Sequence, residues 1–346
     1  MTHKKRSWRN SYIVLLLVSI LVVAGCGSGK NNEAGTENEV TDNPTELQKV
    51  QLVLDYTPNT NHTGLYVARD NGYFAEQGLE VEIIAPGESG ASAVVAAGTV
   101  PFGIGYQEAV TQARIAGLPL VSLAAIIQHN TSGFASPKEK GIDSPKKFEG
   151  MRYGGWGDPV DQAVIEALMK AEQADFSKVD LLSIGDGDFF AAVKRDIDFA
   201  WIFYAWTGIE AELRGVDLNM IYLTDYTDKL DYYTPLVMTN EKMIAEQPET
   251  VKAFVAAVAK GYQYAIDQPT EAAEVLIKAV PELDAELVRA SQAWLSPRYQ
   301  DDAPRWGEQK LSVWENYAEW MLDSGLLDSS LEAEKAFTND FLPAAK

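Results

Sequence analysis

The chain is short of the residues from which most enzyme and metal sites are built. Its 346 residues include one cysteine and three histidines. The single cysteine, Cys26, excludes an internal disulfide, a zinc–cysteine cluster and a thiol redox pair. His62 and His129 lie far apart in sequence, which favours polar contacts over a metal site. The sequence has no G-x-S-x-G elbow, P-loop or H-E-x-x-H motif, so none of those enzyme classes is indicated.

Positive charge and long apolar runs are also scarce. There are 29 Lys and Arg against 50 Asp and Glu, which gives a formal net charge of −21 at pH 7. This balance argues against nucleic acid as a partner. After residue 25 no apolar run is long enough to cross a bilayer.

The first 25 residues have the pattern of a signal peptide. A basic stretch that includes Lys4 and Arg9 precedes a short apolar run over 12–24. The run ends in the letters VAGC, which resemble a bacterial lipobox, where Cys26 would become a lipidated N-terminus. The alternative is an uncleaved anchor helix. Residues 26–46 are almost free of apolar side chains and predict a flexible tether. We therefore expect a lipid-anchored, extracytoplasmic protein.

The remaining chain alternates strand-like and helical patterns. Helices between successive strands favour βαβ units and a mostly parallel sheet. Asp158-Pro159 predicts a helix start, because aspartate caps the helix and proline fits its first position. From Asn240 onward the pattern is helical. The predicted strands cover 50–54, 79–85, 101–105, 118–127, a segment near 147–153, 179–184, 197–202 and 218–223.

This order predicts an α/β fold of two lobes. Residues 47–132 plus 235–346 would form the first lobe, and 133–234 the second. Each lobe would hold a mixed, mostly parallel sheet flanked by helices. Two crossings of the chain would make a two-strand hinge, and the cleft between the lobes would become the ligand site.

Five loops rich in polar and aromatic residues follow predicted strands. In open α/β sheets, ligands bind outside the carboxyl ends of the strands. For one loop alone, turn chemistry is an adequate explanation. Five loops at the same predicted edge point instead to a binding site. The loops are 55–64, 86–92, 105–108, 153–158 and 201–210.

The charges near these loops narrow the ligand. No Lys or Arg occurs in 70–113, 153–169 or 196–213. An anionic ligand would usually recruit a guanidinium or ammonium group, although helix N-termini can bind anions unaided. Aromatic rings with carboxylates better suit a flat ligand rich in N–H donors, which stacks on the rings and donates to the carboxylates.

Several stretches carry a family resemblance. They are LDYTPNTNHTGLYVARDNGYFAEQGLEVEI, AAIIQHNTSGFAS, YGGWGDP and RDIDFAWIFYAWTGIEAELRG. Together they resemble the bacterial substrate-binding lipoproteins of ABC importers for thiamine-pyrimidine precursors, within a superfamily that also holds sulfonate and nitrate binders. The resemblance is strong over 48–240 and loose over the helical tail. It implies a two-lobed periplasmic-binding-protein fold of type II, an aminopyrimidine ligand, and delivery to a permease with its ATPase. We expect a monomer without a cofactor.

Ten side chains are candidate ligand contacts under this hypothesis. Tyr56, Trp156, Tyr204 and Trp206 are candidates for stacking. The candidates for polar contact are Asn59, Asn61, His62 and Glu108 in the first lobe, and Asp158 and Glu210 in the second. Glu210 could instead be a solvated helix residue.

Two alternatives stay open. The superfamily also contains an iron-dependent pyrimidine synthase that consumes its own histidine and a bound pyridoxal phosphate, and His62 falls at that position. This sequence lacks that enzyme's cysteine-rich motif and its pyridoxal lysine, so we expect no catalysis. The second alternative is a binder of an anionic ligand of the sulfonate or nitrate type.

Overall fold

The computed structural model describes residues 46–185 and 187–345. The predicted leader, Cys26 and nearly all of the tether lie outside the described residues. These residues form ten strands: eight match the predicted ones, and β5 and β10 are additional. They are β1 Gln48–Val53, β2 Leu79–Ile84, β3 Phe102–Gly105, β4 Leu120–Ala125, β5 Ser132–Pro137, β6 Arg152–Gly155, β7 Asp180–Ser183, β8 Phe199–Phe203, β9 Leu218–Tyr222 and β10 Leu236–Asn240.

Twelve α-helices accompany the strands in the described ranges, and none of them combines the length and apolarity that a membrane crossing requires. They are α1 Thr63–Asp70, α2 Tyr73–Glu76, α3 Gly90–Ala96, α4 Gln107–Ile115, α5 Pro159–Ala171, α6 Phe189–Arg195, α7 Ile209–Leu213, α8 Glu241–Glu246, α9 Pro248–Asp267, α10 Pro269–Ala279, α11 Ala285–Leu295 and α12 Leu311–Asp323.

The strands form two five-stranded sheets of the same design. The first has the order β2-β1-β3-β10-β4, and the second has the order β7-β6-β8-β5-β9. In each sheet three neighbouring strands are parallel, and the fourth strand runs against its two neighbours. The predicted mixed, mostly parallel sheets are confirmed.

The chain passes between the sheets twice, after β4 and before β10. The two crossing segments are tied together by polar contacts. His129 Nδ1 lies 2.6 Å from Asp231 Oδ2, and the Asn130 N–H donates to Asp231 Oδ1 at 2.8 Å. The Asn130 side chain also donates to the Leu230 carbonyl at 3.0 Å. These contacts raise the pKa of His129 to about 9, mainly through the hydrogen bond to Asp231. A protonated His129 therefore joins the two crossings at neutral pH.

Helices pack on the faces of each sheet. The apolar face of α9 is buried against the first sheet, as its helical spacing of Val251, Phe254 and Tyr262 predicts. On α5, Val164 and Leu168 contribute to the core of the second sheet. Two aliphatic and aromatic cores result, one for each sheet.

Helix α12 contacts both cores. Its Trp314 is fully buried with residues of the first sheet. One turn later, Tyr317 stacks on Tyr232 of the returning crossing at a centroid distance of 4.1 Å, and Trp320 joins the apolar cluster of the second sheet. The predicted lobe boundaries stay a prediction, and α12 lies where they meet.

Candidate functional site

Four exposed aromatic side chains mark the carboxyl ends of central strands. Tyr56 follows β1 and is 49% exposed, and Tyr106 follows β3 at 42%. In the second sheet, Trp156 follows β6 at 44%, and Phe203 ends β8 at 37%. Only two other large hydrophobic side chains in the described ranges are exposed as much. Aromatic surface left in water at this edge of both sheets indicates a site for a ligand.

Carboxyl groups from both sheets meet beside these rings. Glu108 lies in the first turn of α4. Burial raises its pKa from 4.5 to about 7, and the charges of Asp158 and Asp161, from the second sheet's side, add to the rise. Burial also raises the pKa of Tyr106, and the charges of Glu108, Asp158 and Asp55 contribute. The edges of the two sheets therefore face each other across one acidic and aromatic cleft.

The loop that carries Trp156 is held by Asp161 of α5. The buried Asp161 carboxylate accepts from the Trp156 N–H at 2.9 Å. Its pKa is raised by burial, and the Trp156 hydrogen bond opposes that rise. Gly155 is required here, because a Cβ would lie 2.4 Å from Asp161 Oδ2, and Gly157 has a left-handed φ of 82°. Asp158 caps α5, as its sequence predicts.

Trp156 also contacts a second indole. Its ring lies edge-on to Trp201 of β8 with 6.5 Å between centroids. Trp201 is 8% exposed, and its Nε1 has no hydrogen-bond partner among the described residues. The buried Trp201 therefore forms an apolar backing for the exposed Trp156.

The loop after β1 is stiffened by a buried histidine. The Asn59 N–H donates to His62 Nδ1 at 3.2 Å, and His62 Nε2 lies 2.8 Å from Asp55 Oδ1. Because Nδ1 accepts, Nε2 carries the proton and donates to Asp55. The His62 ring is fully buried. His62 therefore holds Asp55 and Asn59 in place, and the Asn61 carbonyl is fixed by a hydrogen bond from the Tyr262 hydroxyl at 2.6 Å.

The predicted candidates after β8 make other contacts. The Tyr204 hydroxyl donates to Glu212. Trp206 packs in the apolar cluster of Tyr66 on α1 and of helices α10 and α11. Glu210 pairs with Arg214 one turn along α7. The structure thus does not bring these three side chains into the acidic group around Glu108, and their ligand contacts stay a prediction.

Four residues of the cleft were not among the sequence candidates. Tyr106 and Phe203 are exposed rings, while Asp55 and Asp161 hold other cleft residues. A signal was present for two of them. Phe203 lies two residues after Trp201 on β8 and therefore on the same face of the strand. Asp161 lies one turn after the capping Asp158. In the described ranges, no group of three or more His, Cys, Asp or Glu side chains is arranged to hold a metal ion.

A family model described as NMT1/THI5 like matches residues 59–272. The chain belongs to this family. Similar proteins include a formylaminopyrimidine-binding protein of Halalkalibacterium halodurans, which is 29% identical over 94% of this chain and 98% of its own. Another is a 4-amino-5-hydroxymethyl-2-methylpyrimidine phosphate synthase of Legionella pneumophila, at 23% identity over 85% of this chain and 92% of its own. The similar proteins thus include both a binding protein and a synthase by name.

The fold is that of the periplasmic binding proteins. The aliphatic sulphonate-binding protein SsuA of Escherichia coli superposes with a TM-score of 0.64 at 11% identity, over 86% of this chain and 94% of its own. The two-lobed fold of type II, which the family resemblance implies, is therefore confirmed.

Proposed function

We propose that this family member is a solute-binding protein that closes its cleft on an aminopyrimidine. The observation that carries the proposal is the composition of the cleft: four exposed rings beside the three carboxyl groups of Glu108, Asp158 and Asp161. A flat heterocycle buries its faces between rings from the two sheets. The relative from Halalkalibacterium halodurans, which is named for formylaminopyrimidine binding, supports this ligand class.

Glu108 is suited to the amidine edge of such a ring. As a carboxylate it accepts from the amino group and from a protonated ring nitrogen. As a carboxylic acid it donates to the unprotonated nitrogen and accepts from the amino group. A pKa of about 7 makes both forms available near neutral pH. Asp158 supplies a second acceptor from the opposite side of the cleft.

The cleft also explains why a ligand would favour closure. Glu108 comes from the first sheet, and Asp158 and Asp161 come from the second. Bringing like charges together is unfavourable in an empty cleft. A ligand with N–H donors screens them and contacts both sides only when the sides are close, so it favours the closed state.

Delivery to an importer is the wider role that we propose. The predicted signal peptide, lipidation at Cys26 and tether over 26–46 would hold the protein outside the membrane. From there it would pass the aminopyrimidine to an ABC permease and its ATPase. The named binding relative and the periplasmic-binding-protein fold support this role.

The synthase alternative assigns His62 a chemical role, but its surroundings favour a positioning role. The ring is fully buried and both nitrogens are engaged, by Asn59 and Asp55. The carboxyl groups around Glu108 would repel a sulfonate, which argues against an anionic ligand in this cleft. We therefore propose binding without catalysis.

A fluorescence titration tests the proposal, because Trp156 and Trp201 lie at the cleft. We expect a saturable change of tryptophan emission with the formylated aminopyrimidine, and none with taurine or nitrate at matched ionic strength. A response to the anions without one to the pyrimidine would overturn the ligand class.

A further inference from the structure

A second cavity opens beside the first crossing segment. Its volume is about 280 Å³. It is lined by residues 129–131, by Tyr222 at the end of β9, and by Trp294, Arg298 and Asp301 at and beyond the end of α11. None of the four exposed cleft rings lines it. Because Tyr222 belongs to the second sheet and α11 packs with helices of the first, the cavity has walls from both halves of the molecule.

Arg298 is unusual among the arginines of this acidic chain. The described ranges contain eight arginines, and seven of them have a carboxylate oxygen within 4.0 Å. Among the described residues, only Arg298 has no such oxygen. Carboxylates are abundant in this protein, so a half-buried guanidinium that pairs with no carboxylate is the exception here.

Most of the donors of Arg298 stay unused within the described residues. Its Nη1 donates to the Trp294 carbonyl, and its guanidinium carbon lies 3.5 Å from the centroid of the Trp294 ring. That stacking fixes the plane of the guanidinium and leaves N–H groups at its edge. A guanidinium carries five N–H donors, and one of these has a partner.

The other residues of the lining contribute mainly aromatic surface, and their charged groups are paired or lie at the rim. The lining rings of Trp294 and Tyr222 both pack on the Tyr204 ring, at centroid distances of 5.3 and 5.8 Å, so one aromatic cluster supports this side. His129 is also cationic, but its nitrogens contact Asp231 and Asp302 at 2.6 and 3.3 Å. Asp301 is exposed at the rim. Arg298 is thus the cation in this lining that lacks a carboxylate partner.

We propose that this cavity binds a small oxyanion, a carboxylate or a phosphate group, through the Arg298 guanidinium. Two oxygens of such a group match the paired N–H donors of an arginine. The nearby aspartates limit the site to a single oxyanion of modest affinity. Since both halves of the molecule line the cavity, the anion favours the arrangement in which they are close, and its binding is linked to that of the cleft ligand.

Calorimetric titration of the full-length protein without pyrimidine tests this site. Inorganic phosphate and acetate are the two probes, and sodium chloride keeps the ionic strength constant. Arg298→Gln removes the guanidinium, and Arg289→Gln is the matched control, because Arg289 lies on α11 and pairs with Glu274 at 2.6 Å. We expect saturable binding of at least one probe by the wild type and the control. In Arg298→Gln it should weaken at least about tenfold, the effect of one charge-assisted hydrogen bond.

Arg298→Lys separates a loss of binding from a folding defect. Lysine keeps the positive charge but lacks the paired N–H donors of the guanidinium. We expect this variant to bind the probe more weakly than the wild type and more tightly than Arg298→Gln. Binding that is equal in all four proteins, or absent from the wild type for both probes, would overturn the proposal and leave Arg298 as a packing partner of Trp294. The titration contains no pyrimidine, so its failure would not affect the proposed function.

Discussion

The segments after β6 and β8 leave neighbouring strands of one sheet, yet they use their aromatic residues differently. Trp156, after β6, is 44% exposed, and its backbone is held by Asp161 from the helix that follows. After β8, the Ala205 carbonyl accepts from Ser291 of α11, and Trp206 packs among α1, α10 and α11. One loop is supported locally, whereas the other is docked on distant helices.

The difference shows what decides whether an aromatic residue at a strand end is available to a ligand. Position at the carboxyl end of a strand is common to both segments. The Trp156 loop keeps its ring in the cleft because its polar contacts come from α5 and from Ser183 of the adjacent β7. The other segment contributes Phe203 to the cleft and places Trp206 in an apolar cluster.

Trp156→Ala should have the largest effect on binding. Removing the ring loses stacking and apolar burial of about 2 to 3 kcal/mol, or roughly a hundredfold in affinity. The free energy of unfolding should change less than the free energy of binding, because Trp156 is already 44% exposed in the ligand-free protein. Calorimetry with the aminopyrimidine and urea unfolding measure the two quantities. Normal affinity in this variant would mean that the cleft is elsewhere.

Glu108→Gln should weaken aminopyrimidine binding about tenfold, because an amide cannot replace a charge-assisted acceptor. Glu80→Gln is the matched control, since Glu80 is exposed on β2. Equal losses in both variants would contradict a specific role for Glu108.

The same substitution should flatten the dependence of stability on pH. The pKa of Glu108 is raised from 4.5 to about 7 in the folded protein, so between those values the folded state binds more protons than the unfolded state. Its contribution to the free energy of unfolding therefore falls as pH rises through this window. We expect Glu108→Gln to recover about 3 kcal/mol at pH 8 relative to its effect at pH 4. Urea unfolding at pH 4 and pH 8 measures this. The same difference in free energy of unfolding between variant and wild type at both pH values would contradict the prediction.

Asp161→Ala should weaken binding about fivefold by releasing the backbone of Trp156. Glu166→Ala, at an exposed position of α5, is the control. Because Asp161 acts through Trp156, its substitution should add little once Trp156 is alanine. Full additivity in the double variant would place Asp161 in direct contact with the ligand instead.

Trp206→Ala should have the smallest effect on affinity, less than about threefold. It should lower the free energy of unfolding by about 3 kcal/mol, as removal of a packed aromatic residue does. Denaturation and calorimetry on this variant and on Trp156→Ala therefore give opposite patterns. A large loss of affinity at unchanged stability would mean that Trp206 contacts the ligand in the cleft.

The sequence predicts the parts of the fold that depend on local patterns. Strand and helix periodicity locates every described strand except β5 and β10, and the pair Asp158-Pro159 marks the start of α5. The position of Trp156 and Glu108 at strand ends follows from the same patterns, because parallel strands present their carboxyl ends at one edge.

Contacts between distant segments are what the sequence could not supply. Ser291 lies 86 residues after Ala205, and no local pattern joins them. The stack of Tyr317 on Tyr232 likewise depends on how α12 folds back across the crossing segment. The burial of His62 against Asp55 needs the turn at Asn59, whose geometry depends on the completed loop.

Isothermal titration calorimetry of the wild-type protein with the formylated aminopyrimidine, with taurine as the competitor, tests whether the cleft binds this ligand class. We expect a saturable heat at one ligand per chain that taurine does not displace. No heat with the pyrimidine, together with tight binding of taurine, would contradict it.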